Sequence, residues 1–219
     1  MPKQTFLNLE EGKRKRITDA FLREFAIKPF DEASITVVVK QLGIAKGSVY
    51  QYFEGKQDLF MYLVQQCSMV KHRYVASVNR SDYEDFWTYF RALYEYGFQF
   101  DSENPLESHF LHNLAENLDS PSIKHLYKEM LQQAVRAFED LVTYEVEQGL
   151  FRKDISIKTM GFQLYKAGVS IQEYLLFTGV INPQQSIQKE APVFQGKKQE
   201  MLQVVDEYIQ LLRPAFNKL

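Results

Sequence analysis

Within one short stretch, 45–56, the chain sets Lys46, Ser48, Tyr50, Gln51, Tyr52 and Lys56. These are ammonium, hydroxyl, amide and phenol groups, with no acid among them. A helix from Ala45 to Phe53 would bury Val49 and Phe53, four residues apart on one face, and leave Lys46, Ser48, Tyr50, Gln51 and Tyr52 mostly outward. Such a set suits a nucleic-acid duplex, because side chains that reach phosphates fix register and others that reach base edges read sequence. Glutamine can bond adenine bidentately in the major groove, and a tyrosine ring can pack on a thymine methyl while its hydroxyl reaches a phosphate. The structural alternatives are that Tyr52 is a half-buried core residue and that Gln51 meets only water.

A second constellation is His109, His112 and Glu116, which share one helical face at i, i+3 and i+7 and are compatible with a divalent metal. A third strong ligand is not evident nearby, and the paired Glu-x-x-His of di-iron bundles is absent, so the expectation is two surface or pocket-lining histidines and no metal. The chain has no phosphate-binding glycine loop, no G-x-S-x-G elbow and no HExxH, so no catalytic residues and no cofactor are expected, and the protein is not read as an enzyme. Cys67 is the single cysteine. It excludes an internal disulfide framework and fits a buried position in a reducing compartment.

The elements that must hold the first constellation are legible. Ser34 is a good N-cap for a short helix, since its hydroxyl can accept an amide N–H two or three residues on. Gly43 follows Leu42, where a left-handed residue lets the chain reverse at no Cβ cost. Upstream, Ile17, Ala20, Phe21 and Phe25 line one helical face, with Phe30 after the loop. Downstream, a helix opening at Lys56 runs through the Val70 region.

From Arg16 to Phe60 the chain resembles the TetR family of bacterial transcriptional regulators, most of all in LGIAKGSVYQYFEGKQDLF: a glycine turn, a small polar residue, an aromatic two places on, Tyr-Phe, then Lys before an acidic-apolar pair. Two positions depart from the family pattern. Pro29 stands where a glycine usually precedes the aromatic, and Val39 stands where a small alanine lets the two short helices approach. The run Val37 to Val39 is β-branched and lowers helix propensity by a few tenths of a kcal/mol per residue, roughly. By position, the resemblance implies that Lys46, Ser48, Tyr52 and Lys56 bind the DNA backbone, with Gly47 among them, and that Tyr50 and Gln51 read bases. Lys56 has the added field of a helix N-terminus. Ser34 and Thr36, at the start of the preceding helix, are further candidate phosphate contacts.

A net charge of −2 argues against a generally basic nucleic-acid binder, but the charge is segregated. Residues 1–56 hold ten Lys and Arg against seven Asp and Glu; residues 57–219 hold sixteen against twenty-one. The KRKR run at 13–16 belongs to this basic end or is simply a solvated helix start. Hydrophobic content of 45% and charged content of 25% are ordinary for a globular protein. No apolar run approaches the ~18 residues of a membrane span, and the first sixteen residues lack a secretory apolar region, so a cytoplasmic location without membrane partners is expected.

Every later segment reads helical. Residues 82–101 are crowded with aromatics; Pro105 opens a helix to about 118; Ser120 with Pro121 caps a long one to about Gln148, closed by Gly149. Residues 157–178 carry two apolar stripes: Met160, Leu164, Ala167, Gly168, Ile171 and Leu175 on one side, Phe162, Tyr165, Val169 and Leu176 on the other. A helix apolar on both sides must be covered twice. The last helix, 198–216, aligns Met201, Val205, Tyr208, Ile209 and Leu212, and the polar 182–198 segment between these two reads as a surface loop. The resemblance implies that these last two helices pair with symmetry mates in a homodimer, through Met160, Leu164, Gly168, Ile171, Leu175, Val205, Tyr208, Ile209 and Leu212. The alternative is a helix buried within one subunit. Phe86, Trp87, Phe90, Tyr94, Phe98, Phe110, Leu114, Phe138, Tyr165 and Tyr174 suit a largely apolar cavity for a small-molecule effector, or else a filled aromatic core. Asp101 is a polar handle in such a cavity or the helix's frayed end.

The expectation is an all-α protein: an N-terminal three-helix helix-turn-helix bundle over 1–56, then a larger helical ligand-binding and dimerisation domain over 57–219. Its expected partners are a palindromic double-stranded DNA operator, a small apolar or aromatic effector and a second copy of the chain. A repressor released by its effector is the leading reading, beside a ligand carrier or a metal-responsive repressor using His109 and His112.

Overall fold

Ser34 and Gly43 punctuate the chain as their chemistry requires. The Ser34 hydroxyl accepts the Val37 amide at 3.4 Å, and Gly43 turns the chain at φ 66°. Between them runs α3 (Ile35–Leu42), following α1 (Gln4–Leu7) and α2 (Glu11–Ile27) and preceding α4 (Lys46–Tyr52) and α5 (Lys56–Ala76). The computed structural model describes residues 1–118 and 120–218. The helices continue with α6 (Phe86–Glu103), α7 (Pro105–Glu116), α8 (Lys124–Glu147), α9 (Ile157–Phe177), α10 (Pro183–Gln188) and α11 (Lys198–Phe216). No strand occurs among the described residues; one isolated bridge joins Phe151 to Asn217. No described helix is long and apolar enough to cross a membrane.

The chain forms two compact units. The first contains residues 1–74, 100–124 and 183–193. Its core is aromatic: Phe25, Phe30 and Phe60 meet with ring centroids 5.0 to 6.1 Å apart, and Phe110 of α7 joins Phe60 at 5.5 Å. The amide of Asn113 donates to the Phe25 and Lys28 carbonyls at 2.7 and 2.8 Å, closing the C-terminal end of α2, whose last carbonyls have no partner within the helix. Val38 and Val39 are buried, so packing holds the β-branched α3 that propensity alone would disfavour.

The second unit contains residues 75–99, 125–182 and 194–219. Trp87, Phe86, Phe151 and Phe216 pack around one another in edge-to-face and tilted pairs at 5.1 to 5.9 Å, and the Trp87 indole N–H donates to Asn217. Gly161 lets α9 approach α8 closely: a Cβ there would lie 2.9 Å from the backbone of Glu139. A buried ion pair also ties this unit, Arg80 gripping Glu145 through two bonds of 2.5 and 3.0 Å.

Two expectations about elements are corrected, and one helix was not foreseen. Residues 182–198 are not all loop, since α10 occupies Pro183–Gln188. The long helix starts at Lys124, because Ser120 turns its hydroxyl to Asp31 at 2.6 Å instead of capping, and Pro121 lies in a turn. Helix α1 was not legible; it exists because Phe6 is wholly buried against Tyr52, Phe53 and Tyr62.

Candidate nucleic-acid interface

Val49 and Phe53 are completely buried and fix the rotation of α4, so the opposite face turns out. Lys46, Gly47, Gln51 and Tyr50 are exposed, Tyr50 by 47%, and Ser48 is half-buried. Thr36 is exposed on the first turn of α3, while Ser34 is half-buried and its hydroxyl serves as the N-cap. The amide, ammonium and phenol groups near residue 50 therefore form a protruding edge free of carboxylates from Ala45 to Phe53. Tyr52 departs from the expected outward placement. It is only 8% exposed, with its ring 5.6 Å from that of Phe6. The face count missed this because the covering residue comes from forty-six positions upstream.

Lys56 opens α5, half-buried, with its ammonium 4.7 Å above the Phe30 ring and 3.3 Å from the Asp31 carbonyl oxygen. Partial burial lowers its pKa against the opposing attraction of Asp31 and Glu24. This side chain is thus parked on the bundle by a cation–π contact and one hydrogen bond, interactions of the size that a phosphate can outbid.

The residues expected to line a cavity fall in both units. Phe86, Trp87 and Phe90 are fully buried in the aromatic core of the second unit, as a filled interior. Tyr94 meets Phe90 edge-to-face at 5.4 Å, Phe138 meets Tyr165 likewise at 6.4 Å, and Phe98 lies under the Lys198 ammonium at 5.7 Å. Tyr174 is exposed. Phe110 and Leu114 belong to the first unit. The sequence reading missed Tyr127 on α8: its hydroxyl is buried with no hydrogen-bond partner. One of two tyrosines in a mixed helix, Tyr127 carries no local signal that sets it apart from the exposed Tyr144.

The residues expected to meet a second copy need correction. Met160, Leu164, Ile171, Leu175, Val205 and Ile209 are buried within the single chain, where α9 and α11 pack on each other, and have no surface to offer; Gly168, Tyr208 and Leu212 are half-buried. Of the other stripe of α9, Phe162 is exposed while Tyr165, Val169 and Leu176 are half-buried; Tyr174 and Phe177, outside both stripes, are exposed, Phe177 by 90%.

His109, His112 and Asp101 are all buried, so the expectation of surface or pocket-lining histidines gives way to a buried polar layer in the first unit. His109 Nε2 lies 2.8 Å from the Ala191 carbonyl, which it meets as a donor, and Asp101 accepts the Val193 amide at 3.0 Å. Asp101 lies within α6, not at a frayed end. Burial pulls the His112 pKa down to about 3, helped by Lys71 and His109, and burial likewise lowers that of His109. Glu116 stands exposed on the same helix. Cys67 is buried, which pushes its thiol pKa up.

A short helix, a left-handed glycine turn and a second helix with an outward polar edge, built on an aromatic three-helix core, define a helix-turn-helix DNA-binding module in an all-α protein. A family model described as bacterial regulatory proteins, tetR family, matches residues 17–63. An uncharacterized HTH-type transcriptional regulator of Bacillus subtilis, YvdT, is 34% identical over 88 residues, which span 40% of this chain and 42% of that regulator. A second from the same organism, YdgC, is 24% identical over 176 residues, 78% of this chain and 84% of that one. Among solved structures, a TetR family transcriptional regulator from Chloroflexus aurantiacus superposes with a TM-score of 0.77 at 27% identity, covering all of both chains. Residues 17–63 thus match the tetR family of bacterial regulatory proteins, and over most of its length the chain is similar to TetR-type transcriptional regulators, which are non-enzymatic DNA-binding proteins.

Proposed function

We propose that this regulator is a repressor that binds a palindromic operator as a homodimer and is released by a small, largely apolar or aromatic effector. In this reading residues 1–56 carry DNA recognition and 57–219 carry effector binding and dimerisation. The observation that carries it is the exposed edge of α4, where Lys46, Gly47, Tyr50 and Gln51 stand clear of the core that Val49 and Phe53 anchor. Lys46, Ser48, Tyr52 and Lys56 hold phosphates, with Ser34 and Thr36 beside them, and Tyr50 and Gln51 read bases. Tyr52 contributes through its hydroxyl, its ring being buried.

Dimerisation uses the exposed side chains of α9, Phe162, Tyr174 and Phe177, with the half-buried Tyr208 and Leu212 of α11. Exposed large apolar side chains gathered on one helix mark an interaction surface. Two copies related by a two-fold axis meet two half-sites, hence a palindrome. The aromatic side chains of α6, α8 and α9 supply the effector's apolar surroundings, and the unpaired Tyr127 hydroxyl supplies a donor to an acceptor on the effector. The effector acts by changing the separation of the two recognition helices. A switch from 1:99 to 99:1 requires it to favour one conformation by about 5.5 kcal/mol.

Operator selection from random DNA, followed by gel shift at two salt concentrations, tests the reading. Specific, salt-sensitive retention is expected, with Gln51→Ala relaxing preference at one base pair by ~1 to 3 kcal/mol. No retention at low salt refutes it and favours a ligand carrier. An unchanged sequence preference in Gln51→Ala removes that residue from base reading.

A further inference from the structure

We propose that residues 3–6 are a positioning clamp for DNA recognition, holding the C-terminal end of α4 from behind. This rests on the reading of α4 as the recognition helix.

A seven-residue helix is marginal by itself, since nucleation is costly and its last carbonyls have no partners within it. Here three successive carbonyls at that end are taken by one upstream segment. The Lys3 ammonium donates to the Tyr50 carbonyl at 2.9 Å, the Thr5 hydroxyl donates to the Gln51 carbonyl, and the Lys3 backbone amide donates to the Tyr52 carbonyl at 2.8 Å. The charge has the right sign for its place, because a cation at a helix C-terminus opposes the negative end of the dipole. Glu54 holds the same ammonium at 3.0 Å. Phe6 fastens the segment itself: wholly buried, its ring lies 4.8 Å from Phe53, 5.6 Å from Tyr52 and 5.5 Å from Tyr62.

The residues held are the informative ones. Tyr50 and Gln51 present their side chains outward while their carbonyls are gripped from the bundle side, so the clamp fixes the backbone under the two proposed base readers without occupying them. Phosphate contacts tolerate small displacements of that backbone; bidentate base contacts do not. The clamp therefore acts on the ratio of specific to non-specific affinity more than on either alone.

Thr5→Val isolates the effect, since it removes one donor from an exposed position, keeps side-chain shape and changes no charge. With the full chain and its selected operator, the expected result is specific binding weakened about 3- to 10-fold, as for the loss of one hydrogen bond, with non-specific binding and the salt slope unchanged. Thr5→Ser restores the hydroxyl and should restore the ratio, which a packing role would not. Amide hydrogen exchange of the DNA-free protein should speed up at residues 50–53 in Thr5→Val and not in Thr5→Ser. Equal specificity ratios and equal exchange in Thr5→Val and the unaltered chain would overturn the clamp. If the unaltered chain shows no specific DNA binding, the recognition reading fails instead, and the exchange comparison still decides whether the clamp exists.

Discussion

Alanine at Gly161 and alanine at Gly97 should shift stability in opposite directions. Both glycines lie inside helices, α9 and α6, so each replacement gains about 1 kcal/mol of helix propensity. At Gly97 a Cβ meets nothing within 4 Å, and the gain stands alone. At Gly161 it would sit 2.7 Å from Glu139 Cγ and 2.9 Å from the Glu139 Cα and backbone nitrogen. The Cγ can swing away but the backbone of α8 cannot, so the two helices must part by a few tenths of an ångström or more. Overpacking of this kind costs about 1 to 3 kcal/mol, and contact with backbone puts it in the upper half. The net expectation is a loss of about 1 to 2 kcal/mol for Gly161→Ala, against a gain of up to about 1 kcal/mol for Gly97→Ala. For a chain of this size each kcal/mol moves the melting temperature by about 2 to 4 °C. Circular-dichroism melts and urea midpoints, run at equal protein concentration because self-association would make stability depend on it, read the difference. A Gly161→Ala protein that melts as high as Gly97→Ala would show that the close approach of α8 and α9 is not a constraint.

Arg80→Met leaves Glu145 fully buried without its partner and should cost about 3 to 5 kcal/mol by urea denaturation; a loss under 1 kcal/mol would mean the pair is dispensable. Tyr127→Phe removes a buried hydroxyl that bonds to nothing and should raise the melting temperature slightly while weakening effector binding about tenfold, measured by calorimetry once the effector is isolated. Acid should destabilise the fold. The folded pKa of His112 lies near 3, well below its usual 6.5, so the unfolded chain takes up the proton first. Its contribution is intact above pH 6.5 and is lost between there and about 3, with a slope approaching 1.4 kcal/mol per pH unit. His112→Phe should flatten that slope; an unchanged profile would refute the assignment.

Local chemistry was readable in the sequence and long-range covering was not. The Ser34 cap, the Gly43 turn and the limits of α9 and α11 follow from residues adjacent to the feature, and the structure places them where the pattern puts them. The error at Tyr52 and the omission of α1 share one cause, since a four-residue helix has no periodicity and its single informative residue, Phe6, acts only through partners far along the chain. The same holds for Arg80 and Glu145, sixty-five positions apart. On α9 the two stripes were visible, but periodicity cannot say which one the chain covers itself; the folded chain buries Met160, Leu164 and Ile171. Asp101 read as a pocket group or a frayed helix end, and His109 as a surface or pocket-lining group, because nothing local shows that Val193 and Ala191 return to meet them.

That return has a consequence for synthesis on the ribosome. The chain passes between its two units five times, and the first unit receives its last segment only with residues 183–193. Asp101 and His109 leave the ribosome 92 and 82 residues before the groups that satisfy them. At elongation rates of roughly 5 to 20 residues per second these buried polar atoms wait several seconds for their partners. A product of premature termination before residue 193 carries an intact α3 and α4 on an unfinished support, so the unit that meets DNA is completed only when nearly the whole polypeptide has been made.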